Sequence, residues 1–145
     1  MNPELENLLA VRAIEQAVIG FARAMDAHDW ETLRAILSDD VVAEMGTGRL
    51  EGPQAIIDLI RSYLDRCGTT QHLIGNIVVS VDGDRATSRA YVHDSHLPPD
   101  NTSEVFFTLG DYHGRWERRD GRWRLVERIK HNRASVGPLK RVFGF

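Results

Sequence analysis

Phe21-Ala22-Arg23-Ala24-Met25-Asp26-Ala27-His28-Asp29-Trp30 decides how this chain is read. Upstream, Val11, Ile14, Val18, Phe21 and Met25 recur at steps of three and four. That spacing predicts one apolar face of a helix of about four turns. Asp26 lies roughly 110° from that stripe at 3.6 residues per turn, so it falls at the edge of the buried face. Downstream, Asp29 is a good N-cap for a short second helix carrying Trp30, Leu33, Ile36 and Leu37. Ser38-Asp39-Asp40 breaks that pattern, and Val41 to Met45 reads as a first strand.

Gly46-Thr47-Gly48 predicts a turn and Arg49-Leu50-Glu51 a short return strand. Gly52-Pro53 opens a third helix, since proline is favoured at the first helical position. Ile56, Ile60, Tyr63, Leu64 and Cys67 form its apolar face. Leu73 to Val81 is apolar on both faces, as expected of a central strand. Asp82-Gly83 predicts a hairpin into Arg85 to His96. After a loop with Pro98-Pro99-Asp100-Asn101, Glu104 to Arg118 and Arg122 to Arg133 pair about Asp120-Gly121. The expectation is an α+β domain over residues 1–145, with a core at about 8–137 and a tail at 138–145. Helices would pack on one face of a curved antiparallel sheet and leave a cavity suited to a small molecule.

Composition excludes several classes. The net charge is −3 and the signs alternate, so no basic block suits a nucleic acid. Arg115 to Arg124 is the densest basic stretch, but Glu117 and Asp120 interrupt it. Cys67 is the single cysteine, so no internal disulfide forms and it reads as a small residue at a helix end. The acidic, then amphipathic, beginning argues against a signal peptide or membrane span, and a cytoplasmic protein is expected. There is no phosphate-binding glycine loop, GxSxG elbow, HExxH or CxxC. No metal and no cofactor are expected.

His72 stands at the entrance to a predicted strand, in Thr69-Thr70-Gln71-His72-Leu73-Ile74-Gly75-Asn76. An imidazole oriented by a carboxylate is a general base near neutral pH. Spacing alone also fits a solvated Asp26 and a half-exposed His72, so whether they meet is left to the tertiary structure. His93 and His96 are three apart on a strand and point to opposite faces, which argues against a metal pair. Asn76 falls on the His72 face if the strand is regular. Tyr91 with His93, or Tyr112 with Gly114 and Trp116, could line a pocket. Arg128, Asn132 and Arg133 are candidate anion stabilisers. His113 and His131 could face either side of the sheet, and His28 belongs at the surface.

The fragments from Leu8 to Gly137 together resemble the SnoaL-like branch of the NTF2-like (cystatin-like) superfamily. The resemblance is carried by Asp26-Ala27-His28-Asp29-Trp30, Leu37-Ser38-Asp39-Asp40-Val41 and Gly52-Pro53-Gln54-Ala55-Ile56. It continues through Gln71-His72-Leu73-Ile74-Gly75-Asn76, Asp82-Gly83-Asp84-Arg85-Ala86 and Arg115-Trp116-Glu117-Arg118-Arg119-Asp120-Gly121-Arg122-Trp123. Its enzymes of similar site pattern are scytalone dehydratase, bile-acid 7α-dehydratase and hexachlorocyclohexane dehydrochlorinase. Asp26 and His72 match the positions of their Asp–His dyad, and His96 that of a histidine assisting the leaving group.

The resemblance implies a cofactor-independent lyase or isomerase acting on a small hydrophobic cyclic compound. Met25 and Met45 stand where scytalone dehydratase has tyrosines, so its substrate does not transfer. Tyr91, Tyr112, Asn76 and Asn132 are the alternative substrate-binding candidates. The other reading is a non-catalytic ligand-binding or oligomerisation module, like the β subunit of a ring-hydroxylating dioxygenase. A homodimer or homotrimer is expected, with Trp116, Trp123, Phe106 and Phe107 on an apolar outer face.

Overall fold

The computed structural model describes residues Met1–Phe145. Its elements run α1 (Pro3–Ala27), α2 (Trp30–Ile36), β1 (Leu37–Glu44), β2 (Arg49–Glu51), α3 (Pro53–Leu64) and β3 (Thr70–Asp82). They continue as β4 (Arg85–His96), β5 (Phe106–Arg119), β6 (Arg122–Val136) and α4 (Leu139–Phe143). The six strands form one sheet in the order β2-β1-β6-β5-β4-β3. No helix is long and apolar enough to cross a membrane.

Helix α1 spans 25 residues, longer than its apolar stripe suggests. Asn2 caps it by accepting from the Glu4 and Leu5 N–H groups, and Pro3 occupies the first turn. Ile14, Val18, Phe21 and Met25 are buried against the sheet. The helix ends because His28 turns left-handed at φ 53°, and its N–H returns to the last carbonyls. Asp26 is thereby held in the final turn. Asp29 then caps α2 through the Thr32 N–H and hydroxyl.

Several expectations are corrected. The sheet is mixed: β3 to β6 form an antiparallel meander, but β1 pairs parallel with β6. Strand β1 begins at Leu37 and runs through Ser38-Asp39-Asp40, because Leu37 and Ser38 are buried while the two aspartates face out. Strand β3 is an edge, not a centre. Its apolar run splits by alternation: Ile74, Ile77, Val79 and Val81 pack against the core, while Leu73 and Val78 face outward. The tail at 138–145 also takes on regular structure. It forms α4, whose Val142 and Phe143 are buried.

Alternation along β4 decides what lies inside. Ala86, Ser88, Ala90, Val92, Asp94 and His96 are all buried, and the odd-numbered residues face outward. Along β5 the inner face carries Thr108, Gly110, Tyr112, Gly114 and Trp116. Trp116 is thus 1% exposed and Phe106 lines the interior, so neither belongs to the outer face expected for them. The outer face instead shows Tyr91, Leu109 and Val136.

Gly114 makes room for Trp116. A Cβ at Gly114 would stand 2.8 Å from Ser88 Oγ, 3.0 Å from Trp116 Nε1 and 3.1 Å from Leu125 Cδ1. Gly114→Ala is therefore expected to destabilise the fold by about 1–3 kcal/mol through overpacking. A lowered urea midpoint checks this; an unchanged one would show that the neighbours give way freely.

Candidate active site

Between sheet and helices lies a cavity of about 350 Å³. This is within the usual range for small-molecule sites. Met25 from α1, Met45, Ile60 and Leu64 from α3, and Phe106 and Phe143 supply apolar walls. The polar groups gather on the sheet side: His72, Asp94, His96, Thr108, Lys130 and Asn132. Strand register produces this gathering. His72 on β3 stands opposite Asp94 on β4, which stands opposite Thr108 on β5. One rung further, Thr70, His96 and Phe106 align in the same way.

Asp26 and His72 meet. His72 Nδ1 lies 2.7 Å from Asp26 Oδ1. The same carboxylate accepts the His72 backbone N–H at 3.0 Å and the Thr70 hydroxyl at 2.9 Å. Asp26 is ionised through this network. Burial works against its charge, but the hydrogen bonds from His72 and Thr70 outweigh it and hold the carboxyl below its ordinary value. The side chain of His72 is only 4% exposed. With Nδ1–H donating to the carboxylate, the Nε2 lone pair is the free base of the ring.

His96 stands beside His72 with ring centroids 5.6 Å apart and lines the cavity. Burial pushes its pKa down to about 4, against the pull of Asp94, so it is neutral at pH 7. Its Nδ1 has no hydrogen-bond partner in the protein. Because the folded-state value lies below the ordinary 6.5, the unfolded chain binds more protons between these limits. Stability is then expected to fall by about 3 kcal/mol as pH drops from about 6.5 to about 4. His96→Leu should flatten that part of the stability–pH curve; a curve parallel to the wild type would refute the assignment to His96.

The remaining candidates divide. Tyr112 is buried on the cavity wall, and Asn132 lies at its exposed margin. Tyr91 is not in the cavity: it is 50% exposed on the outer face, stacked with Arg133, whose guanidinium pairs with Asp111. Asn76 is also excluded. It is exposed and left-handed at φ 50°, within an irregularity of β3 between Gly75 and Val78, so the regular alternation assumed for it fails.

Arg128 is 2% exposed, with its guanidinium 3.9 Å above the Phe21 ring centroid and 4.2 Å from that of Tyr112. Its Nε and Nη1 are without acceptors, and burial pushes its pKa down to about 10. His93 packs on Phe107, and His113 on His131, as neighbours across the strands. Cys67 is half-buried and its thiol is pushed up to about 11 by burial, which removes it as a nucleophile at neutral pH.

Two cavity groups escaped the sequence reading: Asp94 and Lys130. The signal for Asp94 was the even-numbered alternation of β4, which places a carboxylate on a face otherwise mostly apolar or small. A buried carboxylate requires a cation, and Lys130 is that cation at 2.6 Å. The fold also assembles a cluster of possible ligands that no sequence motif announces. His72, Asp94 and His96 place donor atoms within 4.8 Å of one another. The set fits a metal ion poorly, because the Lys130 ammonium already occupies Asp94 Oδ2 and Thr108 occupies Oδ1.

Helices folded over one face of a curved mixed sheet, enclosing a cavity with a polar wall, define an NTF2-like α+β cone. The model of the SnoaL-like domain family matches residues 6–129, and the chain belongs to that family. An uncharacterized protein of Mycobacterium tuberculosis (strain ATCC 25618 / H37Rv) is 24% identical over 119 residues, 81% of each chain.

Three solved structures share the fold. A hexachlorocyclohexane dehydrochlorinase from Novosphingobium barchaimii LL02 superposes with a TM-score of 0.82 at 22% identity, covering 93% of this chain and 94% of that one. A scytalone dehydratase candidate from Novosphingobium aromaticivorans DSM 12444 gives 0.81 at 21% identity, covering 91% and 89%. A dehydratase candidate of the NTF2-like family from Streptomyces avermitilis gives 0.74 at 20% identity, covering 86% and 97%. At these identities the likeness establishes the fold.

Proposed function

We propose that this protein is a cofactor-independent lyase or isomerase acting on a small hydrophobic cyclic compound. His72 is its general base and Asp26 the partner that orients it. The observation that carries this reading is the 2.7 Å contact between His72 Nδ1 and Asp26 Oδ1 at the wall of the cavity. His72 Nε2 removes a proton from a carbon next to an electron-withdrawing group. The C–H electron pair then forms a double bond as a hydroxyl or halide leaves the neighbouring carbon. Asp26 stabilises the imidazolium that results. A departing hydroxyl takes up the proton carried by the His72 imidazolium and leaves as water, which returns the base to its neutral form. In an isomerisation, the imidazolium returns its proton to a different carbon. His96, neutral beside His72, is placed to contact the departing group.

The likeness to a dehydrochlorinase and to dehydratase candidates supports an elimination chemistry. A pure oligomerisation scaffold would fill the interior with side chains, and the open volume of about 350 Å³ argues against that, whereas a non-catalytic ligand-binding module would keep such a cavity. The test is proton exchange in D2O followed by NMR, using β-hydroxy cyclic ketones and chlorinated cyclohexanes. The wild type is expected to incorporate deuterium at the acidic carbon, or form the alkene, in at least one compound. His72→Ala and Asp26→Asn should lose it. Equal behaviour of wild type and His72→Ala across the panel would leave the ligand-binding module as the better reading.

A further inference from the structure

Lys130 is a charged group on the cavity wall that the Asp26–His72 pair does not use. Its side chain is 15% exposed and that of its partner Asp94 3%. An ammonium carries three N–H donors. One donates to Asp94 Oδ2 at 2.6 Å and a second reaches Thr108 Oγ1 at 3.3 Å. The third has no acceptor in the protein. The ammonium is also fixed in place: Asp94 Oδ1 accepts both the Thr108 backbone N–H, at 3.1 Å, and its hydroxyl. Burial opposes its charge, but Asp94 and the hydrogen bond to it help to keep it protonated.

The placement relative to His72 gives this donor a use. An Asp94 carboxylate oxygen lies within 4.8 Å of a ring nitrogen of His72 and of His96, and Lys130 Nζ lies 2.6 Å from Asp94 Oδ2. Base, neutral imidazole and ammonium therefore share one wall. Met25, Met45 and Phe143 add apolar wall, while Tyr63, Tyr112, Asn132 and Ser135 line the cavity as neutral side chains. Negative charge that forms on a ligand in such a space is best held by a cation, and Lys130 is the one lysine or arginine among the residues lining the cavity.

We propose that the Lys130 ammonium binds an oxyanion of the ligand, so that the cavity takes a hydrophobic compound bearing an enolic or phenolic oxygen. The catalytic meaning rests on the reading of His72 as base. Proton removal beside a carbonyl moves charge onto the oxygen, and Lys130 holds that oxygen. The binding claim stands apart from turnover and is tested apart from it.

The probes are 4-nitrophenol, whose ionisation is read by absorbance, and 4-nitroanisole, its uncharged counterpart. The wild type is expected to bind the phenolate more tightly than the ether and to lower the ionisation pH of bound 4-nitrophenol. Lys130→Met should weaken phenolate binding about 10–100-fold, the scale of a hydrogen bond to a charged group, and leave the ether unchanged. Lys130→Met also strands Asp94 without its cation. The double variant Asp94→Asn/Lys130→Met removes both charges and carries the measurement if the single variant does not fold.

His72→Ala should keep the phenolate preference. If it removes the preference instead, the oxyanion sits on His72 and the assignment to Lys130 is overturned. A wild type with no preference, or a Lys130→Met variant that retains it, also overturns the assignment. Either result leaves the base role of His72 to be judged by proton exchange alone.

Discussion

His72→Ala is expected to lower turnover by about 10²–10⁴-fold, the usual contribution of a positioned general base. The fall should appear in kcat with KM little changed, because the imidazole supplies chemistry rather than most of the binding surface. Met25, Met45, Phe106 and Phe143 still enclose the ligand in the variant. Asp26→Asn should act in the same direction, since an amide cannot stabilise the imidazolium as the carboxylate does. Tyr91→Phe and Asn76→Ala provide the contrast. Both residues lie outside the cavity, so both variants should turn over substrate at the wild-type rate. A His72→Ala enzyme with more than about a tenth of wild-type kcat would remove His72 from the chemistry.

Trp116→Ala is expected to produce a large loss of stability, about 3–5 kcal/mol. Trp116 is 1% exposed and belongs to the main core cluster, with Leu125 and Ala86 as neighbours across the strands. Its indole N–H donates to Ser88 Oγ at 2.9 Å. Truncation removes that contact, leaves a void, and strands a buried serine hydroxyl. The measurement is urea unfolding, with the midpoint lowered and the slope unchanged. Trp116→Phe retains most of the ring and should lose less. A deficit under about 1 kcal/mol would mean that the surrounding strands close over the void.

Much of the architecture was legible because it depends on local chemistry. The α1 stripe, the Asp29 cap, Pro53 at the start of α3, and the Asp82-Gly83 and Asp120-Gly121 turns are all short-range signals. The mutual positions of Asp26 and His72 were legible only through the resemblance of whole fragments. They are 46 residues apart, and spacing alone left both residues open to a solvated role. The misplacements share a cause. Alternation says which residues of a strand share a face but not which face is inside, and so Tyr91 was placed with the pocket. A single irregularity reverses the pattern, and the one at Gly75/Val78 carried Asn76 to the surface.

By itself, the sequence determined the types of every element but α4, the α+β order, the absence of internal disulfides, and a base and carboxylate of the right kinds. These follow from periodicity, capping, turn residues and side-chain chemistry, all of which act within a few residues. Only the tertiary structure decided that β3 is an edge, that β1 joins β6 in parallel, and that Tyr91 faces out while Asp94 faces in. It alone brought Lys130 to Asp94 across three strands. The reason is that strand order and register are set by long-range pairing, which decides which like-patterned face is taken out of water. A buried charge becomes intelligible only once its partner across the sheet is known.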